Sequence, residues 1–229
     1  MAPLSGGLGG HCLLESGTAI EHVPEGVSDA VAATAMCAGA TAMATLRVGE
    51  VREGDDVVVF GAGLLGLSAA AAARRAGART VAVVDVDPRR AERALAFGAT
   101  DVVPALGPPS AGLRSLQSRG FDVALELSGA TSAAVAGLEA LAVGGRLVLA
   151  GAVMPVSDMA VNPERLVRLR ASVRGVHNYR PRDLAQALRL LDENQHPFDD
   201  LIAPAVDLER LARGGLGAAG DGLRQLVRP

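Results

Sequence analysis

The chain has 229 residues, is 49% hydrophobic and carries a net charge of −3, which suits one folded unit or one domain with appendages. That charge is too small, and of the wrong sign, to argue for nucleic acid or an anionic membrane as a partner. No uncharged apolar run reaches the roughly 18 residues of a membrane span, and no basic-then-apolar signal opens the chain. Cys12 and Cys37 are the two cysteines, too few for a disulfide scaffold, so a reducing cytoplasm is the expected location. Aromatic residues make up 2% and tryptophan is absent, so the core must be built from Ala, Val and Leu.

In chain order, residues 1–27 are glycine-rich and irregular. Within them residues 12–14 and 18–20 are candidate strands, and 23–26 (VPEG) reads as a turn. From Ser28, an N-cap, the spacing predicts one helix to Leu46 containing Cys37 and Thr41. Residues 54–56 turn into an apolar strand at 57–60. An Ala-rich helix stopped by Gly77 follows, then a strand at 80–84 ending in Asp85. Asp87 caps a helix with Pro88 at its first position, running to Phe97 and stopped by Gly98. A strand at 101–103, a Pro/Gly loop at 107–112, a strand at 121–127 and a helix at 131–141 come next. Gly144 and Gly145 turn into a strand at 146–150, followed by a helix at 163–169 and a sixth strand at 172–176. An amphipathic helix covers 183–194, residues 213–222 are glycine-rich, and 223–227 is a candidate last strand.

The informative stretch is 57–85. Gly61, Gly63 and Gly66 form G-x-G-x-x-G between a strand and a helix, and Asp85 stands 19 residues past the third glycine. In that context the glycines form the dinucleotide-binding fingerprint. Gly61 lets the chain turn, Gly63 lets a pyrophosphate approach, and Gly66 lets the helix pack on the sheet. The helix start, with Leu64 and Leu65, turns free N–H groups toward the phosphates. Asp85, with Val86 beside it, can accept from the ribose hydroxyls and repel a 2′-phosphate. NAD is therefore favoured over NADP, although Arg89 and Arg90 can accommodate a phosphate.

Six near-continuous apolar strands with intervening helices imply an α/β fold, a doubly wound parallel sheet of the Rossmann type. Ligands in such sheets bind outside the carboxyl ends of the strands. Ser128, Gly129, Gly151, His177 and Asn178 fall at those ends with the glycines and Asp85.

The phrases VFGAGLLGLSAAAAARRAGA, VVDVDPRRAERALAFGATDVV, FDVALELSGA and LEALAVGGRLVLAGAV fall in one order across roughly residues 23–180. In this they resemble the medium-chain, zinc-type alcohol dehydrogenases. RGVHNYRPRDLAQAL and GGHCLLESGTAI look most like a subgroup associated with phosphonate metabolism. The resemblance implies an NAD-dependent oxidoreductase passing hydride between a small alcohol or aldehyde and nicotinamide. It also implies that residues 1–27 and 179–229 are short remnants of a second, catalytic domain flanking a dinucleotide-binding domain at 28–178. By the same resemblance Thr41 is a cofactor-side threonine, and the backbone of Ala150, Gly151 and Ala152, and of Val176, His177 and Asn178, lies near the nicotinamide. The sixth-strand edge is expected to pair two subunits into a homodimer.

The departure from the family is as plain. The chain carries no Gly-His-Glu and no Cys-x-x-Cys, and only Cys37 matches a zinc-ligand position. One cysteine cannot hold a catalytic zinc, so zinc is not expected. The N-terminal GroES-like domain is read as lacking. A truncated gene, a degenerate dehydrogenase and a shortened form with adapted chemistry all stay open. An NAD-binding module without redox turnover, and an NAD-using epimerase or lyase, are the alternatives.

Among other side chains, Cys37 is a candidate nucleophile or ligand, against the commoner role of a buried small hydrophobe. His11, Cys12 and His22 match metal-ligand types without a compact spacing. His177 is a candidate general acid/base, against a strand-end histidine bonded to backbone. Tyr179 is a proton-donor candidate with no lysine in the chain to assist it. Glu126, near the end of a central strand, is either catalytic or, more commonly, turned to solvent or capped by the next helix. Arg165, Arg168, Arg170 and Arg174 offer either an anion site or a solvated helix face.

Overall fold

Val, Leu and Ala in unbroken runs make strands that are covered on both sides, and the chain folds accordingly. In the computed structural model, residues 11–105, 110–214 and 222–228 are described. The helices α1 (Asp29–Ala32) and α2 (Ala40–Val48) lead into β1 (Asp56–Phe60), α3 (Leu64–Arg75), β2 (Thr80–Asp85), α4 (Pro88–Arg93) and β3 (Asp101–Pro104). Then come α5 (Ser110–Leu116), β4 (Phe121–Glu126), α6 (Thr131–Glu139), β5 (Leu141–Leu149), α7 (Pro163–Leu169), β6 (Ser172–Gly175) and α8 (Pro181–Asp192). The strands form one parallel sheet in the order β3-β2-β1-β4-β5-β6. This is the doubly wound α/β arrangement, and its order reverses between β1 and β4.

The period-2 alternation of a strand divides the core in two. Val57, Val59, Val81, Val83, Leu125 and Val148 face α2, α3 and α8. Val58, Phe60, Ala82, Val84, Ala124 and Leu147 face the opposite layer, with Leu113 of α5 and Ala136 of α6. In α3 five consecutive alanines, Ala69–Ala73, are buried, and that lack of bulk brings the helix axis close to the sheet. All four phenylalanines are buried too.

Two local expectations are corrected. Residues 12–14 and 18–20 are not strands, and Leu13, Leu14 and Ile20 are exposed. The single helix expected from Ser28 to Leu46 is broken. The Ser28 hydroxyl accepts from the Val31 N–H at 3.3 Å and caps α1 as read. The chain then kinks at Met36 (ψ 150°) and Cys37 (φ 59°, ψ −77°) before α2 begins. Val31 and Ala35 before the kink and Ala38 after it lie in the same core cluster as Ala187, Leu188 and Leu191 of α8, while Met36 and Cys37 at the kink are exposed. Cys37 is consequently exposed rather than a buried helical residue.

Helix α8 is tied to α2 by charge. Arg47 donates to both oxygens of Asp183, at 2.9 and 2.8 Å, and the Arg180 N–H adds a bond at 2.9 Å. Asp183 is fully buried. Burial pushes its carboxyl up, but the hydrogen bonds from Arg47 and Arg180 outweigh that and hold it below the usual carboxylate range. At the strand ends remote from the glycines, buried Asp56 is held the same way. Burial raises it, and Arg79 and Arg119 more than reverse the effect.

After α8, β7 (Ile202–Asp207), α9 (Leu208–Gly214) and β8 (Arg224–Arg228) form a unit whose two strands pair in parallel. Leu201 and Phe198 anchor it in the main core. No helix among the described residues is long and apolar enough to cross a membrane.

Candidate nucleotide cleft

At the end of β1, Gly61 adopts φ 101°, a conformation open to glycine, and its N–H donates to the Val84 carbonyl at 2.8 Å. Gly63 is the N-cap of α3 and carries no side-chain cap. A Cβ built on Gly63 meets nothing within 4 Å, so the space above the helix start is open. Gly66 is the opposite case: a Cβ there would overlap the Gly61 carbonyl oxygen and lie 2.9 Å from its carbon. The N–H groups of Leu64, Leu65 and Gly66 fall in the first turn, where no intrahelical acceptor exists. The positive end of α3 therefore faces open space, and an anion is the ligand that suits it.

Asp85, the last residue of β2, is half-buried beside this turn. Its Oδ2 accepts from the Ala62 N–H at 2.7 Å and its Oδ1 from the Asp87 N–H at 2.9 Å. The carboxylate is thus anchored to the glycine turn itself, a contact that the sequence reading missed. Asp87 in turn caps α4, accepting from the Arg89 N–H at 2.9 Å.

A cleft of about 880 Å³ opens here. It brings together Gly61, Gly63, Asp85, Val86, Arg90 and Ser128, as expected, and adds one face of α6 through Thr131, Val135 and Glu139. Its floor is apolar, from Phe60, Val84 and Leu127. An apolar floor with a few polar groups at the rim is the usual make-up of a small-molecule site.

The other predicted residues do not line this cleft. Ala150, Gly151 and Ala152 follow β5, and Val176, His177 and Asn178 follow β6. Gly151 reaches toward the cleft by touching Gly129: a Cβ on Gly129 would lie 2.8 Å from the Gly151 carbonyl oxygen. The Val176 N–H donates to the Leu149 carbonyl at 2.9 Å, continuing the sheet by one bond. His177 is exposed, with its Nε2 3.5 Å from Asn178 Nδ2. Thr41 is buried in α2, and its carbonyl accepts from the Thr45 hydroxyl at 2.7 Å. Tyr179 packs against the core.

Three of the four arginines in the run are engaged within the chain, Arg170 having no side-chain bond among the described residues. Arg165 donates to the Glu139 carbonyl at 2.6 Å, Arg168 pairs with Glu164, and Arg174 binds the Val48 carbonyl at 2.7 Å and Glu50 at 2.6 Å. This argues for a bonded surface rather than an anion site. Glu126 is neither solvent-facing nor capped by a helix; it is buried and bonded to the loop that follows it.

Among the described residues no three His, Cys, Asp or Glu side chains converge to hold a metal ion, His11, Cys12, His22 and Cys37 included. These residues do not fit a catalytic zinc, and no chemistry is routed through one.

Comparison with known proteins places the fold. The family model for zinc-binding dehydrogenases matches residues 65–193. L-threonine 3-dehydrogenase of Streptomyces avermitilis is 35% identical over 170 residues, covering 72% of this chain and 45% of that protein. The enzyme of the same name from Pectobacterium atrosepticum is 33% identical over 198 residues, covering 82% of this chain and 48% of that one. An alcohol dehydrogenase structure from Thermotoga maritima superposes with a TM-score of 0.81 at 27% identity, over 90% of this chain and 59% of that one. The 2R,3R-butanediol dehydrogenase of Bacillus subtilis gives 0.77 at 26% identity, over 90% and 60%. The chain spans about half the length of the curated relatives it matches. With the model covering more than half of its residues, the chain belongs to the zinc-binding dehydrogenase family, the medium-chain type that its sequence resembles.

Proposed function

We propose that the cleft binds a nicotinamide dinucleotide, NAD in preference to NADP, and that the chain serves an oxidoreductase of the alcohol-dehydrogenase type acting on a small alcohol or aldehyde. The observation that carries this is Asp85. Its carboxylate is fixed by the Ala62 and Asp87 N–H groups at the cleft rim, beside an uncapped helix start with open space above Gly63. The relatives are named for alcohol substrates, L-threonine and 2R,3R-butanediol among them, which supports the reaction class.

When bound, the nicotinamide supplies or takes up a hydride. The chain's own part is to bind and orient. The α3 N-terminus attracts the phosphates, Asp85 accepts from ribose hydroxyls and repels an added phosphate, and the apolar floor takes the base. His177 and Cys37 lie outside the cleft lining and are given no step. A second reading, a nucleotide-binding module without turnover, is favoured by one observation: no metal-binding cluster exists among the described residues.

Calorimetric titration tests the cofactor reading. Wild-type protein is expected to bind NADH in the micromolar range and NADPH at least about tenfold more weakly. Asp85→Ala removes hydrogen bonds to a charged group, worth about 1.5–3 kcal/mol, so NADH should weaken about 10- to 100-fold and the discrimination should shrink. Equal affinities for the two nucleotides in the wild type would overturn the role of Asp85. Nicotinamide absorbance with added alcohols or aldehydes then separates turnover from binding alone.

We also propose a homodimer through β6. That strand ends the sheet, and Val173 on it is exposed, as are Val153, Met154 and Val156 in the segment between β5 and α7 and Val167 on α7. A strand edge without a partner is a template for strand pairing. Sedimentation at micromolar concentration should show a dimer, and a monomer would count against the edge.

A further inference from the structure

Glu126 closes β4 and is 1% exposed. A carboxylate in such a place is costly unless its lone pairs are filled. One oxygen, Oε1, takes three donors: the Ser128 N–H at 2.8 Å, the Ser128 hydroxyl at 2.6 Å and the Gly129 N–H at 2.8 Å. All three are neutral groups of one short loop. The Ser128 hydroxyl oxygen accepts the Ala130 N–H at 3.2 Å, just ahead of α6. Meanwhile the backbone carbonyl of Glu126 accepts the Ala150 and Gly151 N–H groups, both at 3.0 Å.

The loop held this way is wedged between two others. A Cβ on Gly61 would lie 3.1 Å from the Ser128 Cα, and one on Gly129 would lie 2.8 Å from the Gly151 carbonyl oxygen. The glycine turn after β1, the loop after β4 and the end of β5 therefore touch backbone to backbone. Glu126 is the side chain that fixes the middle one of the three.

We infer that Glu126 is a positioning residue of the nucleotide cleft. It sets the loop carrying Ser128 and Gly129 in the shape that closes against the glycine turn, and so shapes the wall on which the dinucleotide lies. The consequence for binding rests on the dinucleotide reading; the effect on the loop does not.

Hydrogen exchange on the full chain, comparing wild type with Glu126→Ala and Glu126→Gln, tests it. Alanine removes the acceptor and frees three donors, whereas glutamine keeps a carbonyl oxygen able to take them. In Glu126→Ala, exchange at the amides of residues 127–130 should quicken about tenfold or more and spread to 61–63 and 150–152. Amides of β1 and β2 should stay within about twofold of wild type, and glutamine should restore most of the protection. At a temperature where those strand amides remain protected, NADH should bind about tenfold more weakly to Glu126→Ala and within about threefold of wild type to Glu126→Gln.

Unchanged protection at 127–130 in Glu126→Ala overturns the inference. So does uniform loss across the sheet, which would mark a general stability residue, and so does wild-type NADH affinity in a variant whose loop has loosened. If the wild type binds no NADH, the dinucleotide reading falls while the exchange pattern still decides what Glu126 does to the loop.

Discussion

Arg47→Ala should destabilise the protein by about 3 kcal/mol, read as a loss of about 6–12 °C in melting temperature for a chain of this size. The substitution strands Asp183, which is fully buried and bonded to Arg47 through both carboxylate oxygens. Breaking a buried pair from one side costs more than the pair contributes, because the remaining charge keeps its desolvation penalty. The figure sits at the low end of the range because the Arg47 side chain keeps 28% of its exposure, and water screens it in part. The acid dependence has a definite sign. In the wild type the folded pKa of Asp183 is depressed, so its stabilisation is complete above the unfolded value of about 3.9 and is lost as pH falls through that value toward the folded one. In Arg47→Ala the Arg180 N–H bond remains, but the largest effect opposing burial is gone, so the pKa rises above its wild-type position and protonation relieves the stranded charge. Melting curves from pH 7 to pH 3 should therefore show the gap between the two proteins narrowing in acid. A constant gap would mean that Arg47 contributes packing alone.

Gly66→Ala should be as severe for stability and worse for binding. The new methyl would overlap the Gly61 carbonyl oxygen, and Gly61 has little freedom to retreat, since its own Cβ position is already 3.1 Å from Ser128. Overpacking of this kind costs about 1–3 kcal/mol and sometimes more; with backbone on both sides we expect about 3, and NADH affinity should fall more than about 100-fold as the turn is displaced. Gly63→Ala is the matching control. Its methyl would enter open space at an ordinary φ of −76°, so the melting temperature should hold while the nucleotide is kept off the helix start. If the two variants melt and bind alike, the division of labour between the glycines is wrong.

The sequence is explicit where chemistry restricts residue type. A turn that needs φ 101° at Gly61 and a backbone crossing at Gly66 leaves glycine as the residue, so the cleft could be read before any coordinates existed. The inner strands β1, β2 and β4 were legible for a similar reason, since strands buried on both faces need such runs of Val, Leu and Ala, whereas the edge strands β3 and β6 are only partly buried. Packing-dependent features were not legible. Residues 28–46 have helical composition throughout, with no Gly or Pro before Gly39 to mark the kink at Met36 and Cys37. The strand β7 was not read from the sequence; Pro204 within it is exposed on a short two-stranded unit where a missing donor is tolerated. Helix α5 was not read from the sequence, its first three residues falling in the Pro/Gly loop assigned to 107–112. Glu126 had a signal that went unweighed: an acid at the end of a buried central strand, followed at two and three residues by Ser128 and Gly129, whose N–H groups turn back to it.

The bond between Arg47 and Asp183 spans 136 residues of sequence, and that separation matters during synthesis. A ribosome releases α2 long before α8 exists. Through most of translation Arg47 has no carboxylate to meet, and the apolar surface of Ala40, Met43 and Leu46 has no α8 to cover it. The parallel strands can pair as they emerge, but this layer closes only when residues 181–192 leave the exit tunnel. Closure of this layer is therefore a late step of folding, because it waits for α8.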